Sequence, residues 1–211
     1  MINATEKYIG TVEYISRLYD YCNVKLFGNE LVKPVITVQQ DEKNRTNGWW
    51  SRAKVWKENA EDEGEHELNL TAQQLNRPLY ATDKDSVCST LIHEMCHQYA
   101  QANNMQDTSR AGNYHNKLFK TIAEKHGLKV ECVQTIGWSH TTLTDETAAL
   151  IAEFVKDNPA SVIYRTPVLK GQRVKTSSTR KYVCPCCGQS VRATKIVNIM
   201  CADCNEYMEE E

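Results

Sequence analysis

The chain has 211 residues, a formal net charge of −2 and nine cysteines. At roughly 150 residues per domain, this length fits one medium-sized domain with an appendage. Hydrophobic residues make up 41% and charged residues 25%, which excludes wholesale disorder. No apolar run is long enough to span a bilayer, and the N-terminus lacks an apolar signal region. We therefore expect a cytoplasmic protein without a membrane partner, whose cysteines are free or bind metal.

Charge and cysteines are distributed unevenly along the chain. Residues 158–211 contain eight Lys or Arg and five Asp or Glu, a net charge of +3, which leaves −5 for the first 157 residues. Five of the nine cysteines lie between positions 184 and 204. The sequence therefore predicts three regions: a body over residues 1–156, a basic linker with two prolines over 157–181, and a cysteine-rich end over 182–211.

The predicted elements follow from hydrophobic periodicity and turn residues. In chain order they are a helix over 5–26, strands over 35–38, 48–56 and 66–70, an acidic solvated loop over 58–67, a helix over 82–103, a helix over 114–125 and a helix from 144. Thr82 is the expected N-cap of the second helix, with Asp85 completing a capping box. The strand over 66–70 is expected to present an edge to which a substrate peptide pairs.

The most informative stretch is His93-Glu94-Met95-Cys96-His97. Two histidines four residues apart project from one face of a helix and can bind one Zn²⁺ through their imidazole nitrogens. Glu94 lies between them, where its carboxylate can contact a water molecule rather than the metal. The alternative is a pair of helix-surface histidines that hold no metal.

A catalytic zinc ion usually has three protein ligands. His115 lies 18 residues after His97, beyond a loop long enough to fold back, and is the preferred third ligand. The alternatives are His126, His140, Glu124 and Glu131. Two further residues near the pattern have simpler roles: His66 is expected to face solvent, and Cys96 to pack beside the helix.

Residues 93–97 followed by residues 114–120 resemble the SprT-like zinc metalloprotease family, which includes the Spartan-type DNA–protein crosslink proteases. Residues 26–34 are similar to that family's helix-to-strand entry, and residues 68–70 to the strand before its active-site helix. The resemblance covers about residues 8–128. One departure is Tyr114, which stands where the family often has a glycine directly before the third histidine.

The resemblance implies a fold and a set of roles. It implies an α+β, zincin-like fold, in which a small mixed or antiparallel sheet packs on helices. His93, His97 and His115 would bind the catalytic zinc ion, and Glu94 would act as the general base. Neither the resemblance nor the sequence identifies the group that would stabilise the tetrahedral oxyanion; Tyr114 is one candidate.

The C-terminal region contains two C-x-x-C pairs, Cys184 with Cys187 and Cys201 with Cys204, separated by 13 residues. Each pair can wrap one tight turn around Zn²⁺, and four thiolates complete a closed tetrahedral site. We therefore predict a structural zinc ion in a zinc ribbon, a module that the resemblance also implies. Cys186 is the spare thiol.

The sequence thus predicts a zinc endopeptidase with one catalytic and one structural Zn²⁺, acting on a protein or peptide. The resemblance implies action on DNA-bound or DNA-crosslinked proteins, with DNA contacted through residues 165–195, whose basic side chains can meet phosphates. Trp49 and Trp50 can stack on unpaired bases or pack in the core. Two alternatives remain: a non-proteolytic zinc-containing nucleic-acid-binding or regulatory protein, and a repressor-cleaving HExxH peptidase of a mobile element.

Overall fold

The computed structural model describes residues 3–41, 46–159, 162–166 and 179–211. The chain divides into two compact units, residues 1–167 and residues 168–211. Part of the predicted linker and of the predicted DNA-contacting region, residues 160–161 and 167–178, lies outside the described residues. Within the described part of the chain, no helix is both long and apolar enough to cross a membrane.

The first unit contains four α-helices, a short 3-10 helix and seven strands among its described residues. The helices are α1 (Ala4–Leu26), α2 (Val87–Ala102), α3 (Lys117–Lys125) and α4 (Asp145–Asp157), and the 3-10 helix is Ala72–Asn76. The strands are β1 (Val35–Thr37), β2 (Gly48–Trp50), β3 (Glu67–Leu70), β4 (Thr108–Ser109), β5 (Tyr114–His115), β6 (Leu128–Val133) and β7 (Gly137–Leu143). This mixed α+β architecture with small sheets agrees with the predicted class.

The strands of the first unit form two small mixed sheets. One has the order β1-β3-β2, with β1 parallel and β2 antiparallel to β3, and the other has the order β4-β5-β7-β6. All four residues of β3 are buried because it is the middle strand. The expectation that β3 presents a free edge is therefore wrong, since both of its edges are paired. The exposed edge nearest α2 belongs to β2 instead.

The start of α2 differs from the prediction. Ser86, not Thr82, is the N-cap: its side chain accepts a hydrogen bond from the Ser89 backbone N–H, and the Ser89 side chain accepts one in return. Asp85 does not take part in the cap; its carboxylate forms an ion pair with Arg77 at 2.9 Å. The N-cap therefore lies four residues after the predicted one, and the helix places its buried face, including Leu91 and Met95, in the core.

The segment around position 115 also differs from the prediction. Tyr114 and His115 form the short strand β5, and α3 begins at Lys117 after the N-cap Asn116, whose side chain accepts the backbone N–H groups of Leu118 and Phe119. The β6–β7 hairpin was not predicted from the sequence. It brings Gly137 beside His115, which the parallel pairing of β5 with β7 fixes in position.

The second unit is built from short antiparallel strands. They are β8 (Arg180–Val183), β9 (Ser190–Ala193), β10 (Met200–Cys201), β11 (Glu206–Tyr207) and β12 (Glu209–Glu210). One sheet has the order β12-β8-β9, and β10 pairs with β11. Among the described residues of this unit three side chains are buried, Tyr182, Cys184 and Cys201, so their apolar core is small.

Candidate active site and second metal-binding cluster

Three histidines from two elements meet at one point. His93 and His97 lie one turn apart on α2, and His115 comes from β5. The Nε2 atom of His115 lies 3.1 Å from the Nε2 atoms of both His93 and His97. Tetrahedral zinc with Zn–N distances of about 2.1 Å requires nitrogen atoms roughly 3.4 Å apart, so the three nitrogens are spaced as such a site needs.

The other ring nitrogen of each histidine has a partner that can accept a hydrogen bond. His97 Nδ1 lies 2.5 Å from Asp107 Oδ2, His93 Nδ1 lies 3.1 Å from the Thr141 hydroxyl, and His115 Nδ1 lies 3.3 Å from the Ile136 carbonyl oxygen. With the proton on Nδ1, each Nε2 carries a lone pair directed at the common point. Three lone pairs facing one another favour a cation between them.

Burial also keeps His93 and His115 in the neutral form, which is the form that binds metal. It is the main cause that lowers the pKa of His93 well below its ordinary value, and His97 and His115 lower it further. Burial likewise lowers the pKa of His115 to about 4, again with help from His97. The residues present therefore fit a zinc ion in donor type and spacing.

Glu94 is buried beside the histidines, with 7% of its surface exposed. Burial raises the pKa of its carboxyl to about 7, while His97 and a hydrogen bond from the Trp50 backbone N–H oppose the rise. A general base works best when its pKa lies near the operating pH. The carboxylate is therefore suited to exchanging protons with a water molecule or a substrate at neutral pH.

The cluster opens onto a cleft with two adjoining cavities of about 420 and 350 Å³. Both cavities are lined by His93, Glu94 and His115, and by Gly48 of the edge strand β2. Gly48 cannot carry a side chain without disturbance, because a Cβ atom there would lie 2.6 Å from the Asn69 carbonyl oxygen and 3.3 Å from Glu94 Cγ. Edge strands can pair with extended peptides, and β2 is an edge strand that borders this cleft.

The structure brings none of the other candidate ligands to the three histidines. His126 is buried against Phe27 and Tyr99, its Nδ1 lies 2.7 Å from the Leu26 carbonyl oxygen, and burial lowers its pKa. Glu124 forms an ion pair with Lys120, and Glu131 is exposed on β6. His140 lines the larger cavity but pairs with Asp85 at 3.4 Å.

Three other residues near the site also have defined places. Cys96 is fully buried in the core, as predicted, whereas His66 is half-buried against Trp50 rather than freely solvated. The ring of Tyr114 lies beside Gly137 and under the Arg110 guanidinium, and Tyr114 lines neither cavity. The prediction that Tyr114 stabilises an oxyanion therefore has no support in the geometry.

Asp107 and Thr141 are site residues that the sequence did not reveal. Asp107 lies ten residues after His97 in a polar loop, where nothing in its neighbourhood distinguishes it from other surface acids. Thr141 belongs to the hairpin that was not predicted. Only the packing of β4 and β7 against α2 shows that both contact the histidines.

The second cluster consists of Cys184, Cys187, Cys201 and Cys204, whose sulfur atoms all lie within 4.8 Å of one another. The Sγ atoms of Cys187 and Cys201 are 3.7 Å apart, which is far longer than a disulfide and close to the roughly 3.8 Å edge of a tetrahedral zinc–thiolate site. Backbone N–H groups, first that of Cys187, lower the pKa of Cys184 to about 7 and so favour the thiolate. This cluster also fits a zinc ion, and Cys186 is exposed outside the four.

The basic side chains of the second unit are partly neutralised within it. Arg180 forms an ion pair with Glu210 at 3.3 Å and Lys181 pairs with Glu211, whereas Arg192 and Lys195 are exposed. In the first unit, Trp49 and Trp50 are half-buried, and their indole N–H groups donate to Glu67 and Gln101.

The fold and the site together define a mixed α+β protein with an HExxH helix, a third histidine on a separate strand and a four-cysteine cluster. The chain belongs to the SprT-like family, whose model matches residues 15–138, more than half of its length. This confirms the resemblance seen in the sequence. Comparisons with curated proteins and with solved structures returned no match.

Proposed function

We propose that this protein is a zinc-dependent endopeptidase. The observation that carries the proposal is the convergence of three histidine Nε2 atoms beside the buried carboxyl of Glu94, at the centre of a cleft bordered by an edge strand. Membership of the SprT-like family supports a metallopeptidase-type function. His93, His97 and His115 would hold the catalytic zinc ion in a zincin-like domain, and Cys184, Cys187, Cys201 and Cys204 would hold a structural one in a zinc ribbon.

A zinc ion held by His93, His97 and His115 would supply a Lewis acid that can polarise a scissile carbonyl and lower the pKa of water to about 7. The chain itself provides the proton transfers. Glu94 accepts a proton from the attacking water as the C–O bond forms, and donates it to the amine as the C–N bond breaks. The edge strand β2 borders the cleft and would orient the peptide beside Glu94.

Replacing Glu94 tests the proposal. We expect Glu94→Gln to reduce cleavage of an unfolded protein substrate by about 10²- to 10⁴-fold, since general acid–base catalysis contributes on that order. The zinc content of the variant should not change. Glu124→Gln, an exposed carboxylate paired with Lys120, is the matched control and should cleave at the wild-type rate. Full activity of Glu94→Gln would exclude its role as the base.

We also propose that proteins bound or crosslinked to DNA are among the substrates, as the Spartan-type resemblance implies, with DNA held by the basic residues of the C-terminal region. Cleavage of a DNA-binding protein, measured with and without single-stranded DNA, tests this part separately. Cleavage that does not depend on DNA would leave the endopeptidase proposal standing and would favour a protease that acts on free proteins such as repressors. DNA binding with no cleavage of any substrate would favour a non-proteolytic regulator.

A further inference from the structure

We propose that Asp107 is a positioning residue for His97: its buried carboxylate holds the imidazole by Nδ1, so that Nε2 faces the zinc ion. This inference rests on the proposed zinc site. It assigns a role to a residue that lies outside the HExxH pattern and is separated from it by a polar loop. Three contacts of Asp107 support this role: those with His97, with Arg52 and with Asn116, the residue after His115.

Asp107 connects the segments that carry two of the three histidines. Its carboxylate is fully buried, and Oδ2 lies 2.5 Å from His97 Nδ1. Its backbone carbonyl oxygen accepts a hydrogen bond from the N–H of Asn116 at 3.0 Å, and Asn116 directly follows His115 in the chain. The neighbouring Thr108 pairs with His115 across strands β4 and β5. A shift of Asp107 would therefore move His97 and His115 together.

Arg52 fixes the second oxygen of the carboxylate. One guanidinium nitrogen lies 2.5 Å from Asp107 Oδ1 and 2.9 Å from the Thr108 hydroxyl. Because each oxygen has its own partner, the carboxylate cannot rotate without breaking a charged hydrogen bond. Arg52 also supplies the positive charge that a buried carboxylate needs, since an unpaired buried charge is strongly destabilising.

The partner of His97 differs in kind from those of the other two histidines. His93 faces a hydroxyl and His115 a backbone carbonyl, both of which are neutral, whereas His97 faces a carboxylate. An anionic acceptor at Nδ1 increases the electron density at Nε2 and thus the basicity of the ligand. The His97 partner should therefore contribute most to metal affinity among the three.

The test measures zinc affinity rather than catalysis. The full chain is loaded with zinc and titrated with chelators of graded affinity, and the four-cysteine cluster serves as an internal reference in the same molecule. Changing one such outer partner typically weakens metal binding by about 10- to 100-fold. We expect Asp107→Asn to weaken binding at the histidine site by this factor and to leave the cysteine site unchanged.

The chain contains a matched control for this substitution. Asp85 is also an aspartate placed between an arginine and a histidine, Arg77 and His140, and it lines the same cleft without contacting any of the three histidines. Asp85→Asn should therefore leave zinc affinity at both sites unchanged. Equal weakening in the two variants would show a general electrostatic effect and would overturn the positioning role.

A second measurement uses the wild-type protein and does not depend on the folding of a variant. In the zinc-loaded chain, the imidazole nitrogen NMR spectrum should show a protonated Nδ1 on His97, with the most deshielded proton of the three histidines. A His97 Nδ1 without a proton would overturn the proposal. If the wild type binds zinc at the cysteine cluster alone, the proposed function fails; if it binds at both sites and Asp107→Asn has wild-type affinity, this inference fails alone.

Discussion

Gly137 shows how much of the site depends on a residue without a side chain. Its φ angle is +75°, and an added Cβ would overlap the carbonyl oxygen of His115 and come within 2.9 Å of the Tyr114 ring. The close approach of β7 to β5 that places His115 beside α2 therefore requires glycine. The HExxH pattern was evident in the sequence, whereas this requirement depends on two segments 22 residues apart.

The variant Gly137→Ala should consequently lose stability and weaken the histidine site. The left-handed conformation alone costs about 1–2 kcal/mol for a residue with a Cβ, and the overlap with His115 adds to that cost. Thermal unfolding and zinc titration of the full chain measure the two effects. Gly112→Ala is the control, because Gly112 has a φ of +90° but no atom within 4 Å of an added Cβ. Equal losses in both variants would show that crowding at His115 does not matter.

At the scale of elements, hydrophobic periodicity predicted the helices well and their boundaries less well. The sequence placed the start of α2 at Thr82, because a threonine followed by an acid three residues later resembles a capping box. The tertiary structure instead uses that acid, Asp85, to pair with Arg77 and His140, and the cap forms at Ser86. A local capping pattern competes with long-range ion pairs that a sequence alone does not show.

Removing the observed cap tests this assignment. Ser86→Ala should destabilise the protein by about 1 kcal/mol, because the Ser89 backbone N–H loses its acceptor. For a unit of this size, such a loss corresponds to a fall in Tm of roughly 2–4 °C. Thr82→Ala should leave Tm unchanged. A larger effect at Thr82 than at Ser86 would mean that the helix begins at the earlier position in solution.

Strands were harder to predict than helices for a physical reason. The sequence predicted β1, β2 and β3, whereas β4 and β5 have only two residues each, too few to show a periodic pattern. The role of Glu67, at the end of the predicted acidic loop, depends on contacts that the sequence does not show. It is buried in β3 and accepts the indole N–H groups of Trp49 and Trp56, which hold the neighbouring β2 segment against the sheet.

At the scale of the whole molecule, the two units differ in what stabilises them. The first has an extensive apolar core to which the buried faces of α1 and α2 contribute, whereas the described part of the second has three buried side chains and a four-cysteine cluster. For a unit with so little core, we expect metal binding at the four-cysteine cluster to contribute to folding. The predicted domain boundaries at 156 and 181 remain predictions, since residues 160–161 and 167–178 lie outside the described part of the chain.

The zinc content of the full chain tests the division into two sites. We expect two zinc ions per wild-type chain and one after Cys184→Ser combined with Cys187→Ser, with loss of structure confined to the second unit. Cys132→Ser combined with Cys186→Ser is the control and should retain two ions, because both thiols are exposed and lie outside the four-cysteine cluster. A single zinc ion in the wild type would show that one of the two proposed sites does not bind zinc. Metal analysis with circular dichroism gives both readouts.

The sequence by itself determined the family, the α+β class and the residues of both clusters, because helical spacing and C-x-x-C spacing constrain ligands that are close along the chain. The uneven distribution of charge along the chain also revealed two chemically different regions, although the net charge of the whole chain is only −2. Only the tertiary structure decided that β2 rather than β3 borders the cleft, that Tyr114 lines neither of its cavities and that Asp107 contacts His97. These features depend on which distant segments pack together, and no local pattern encodes that packing.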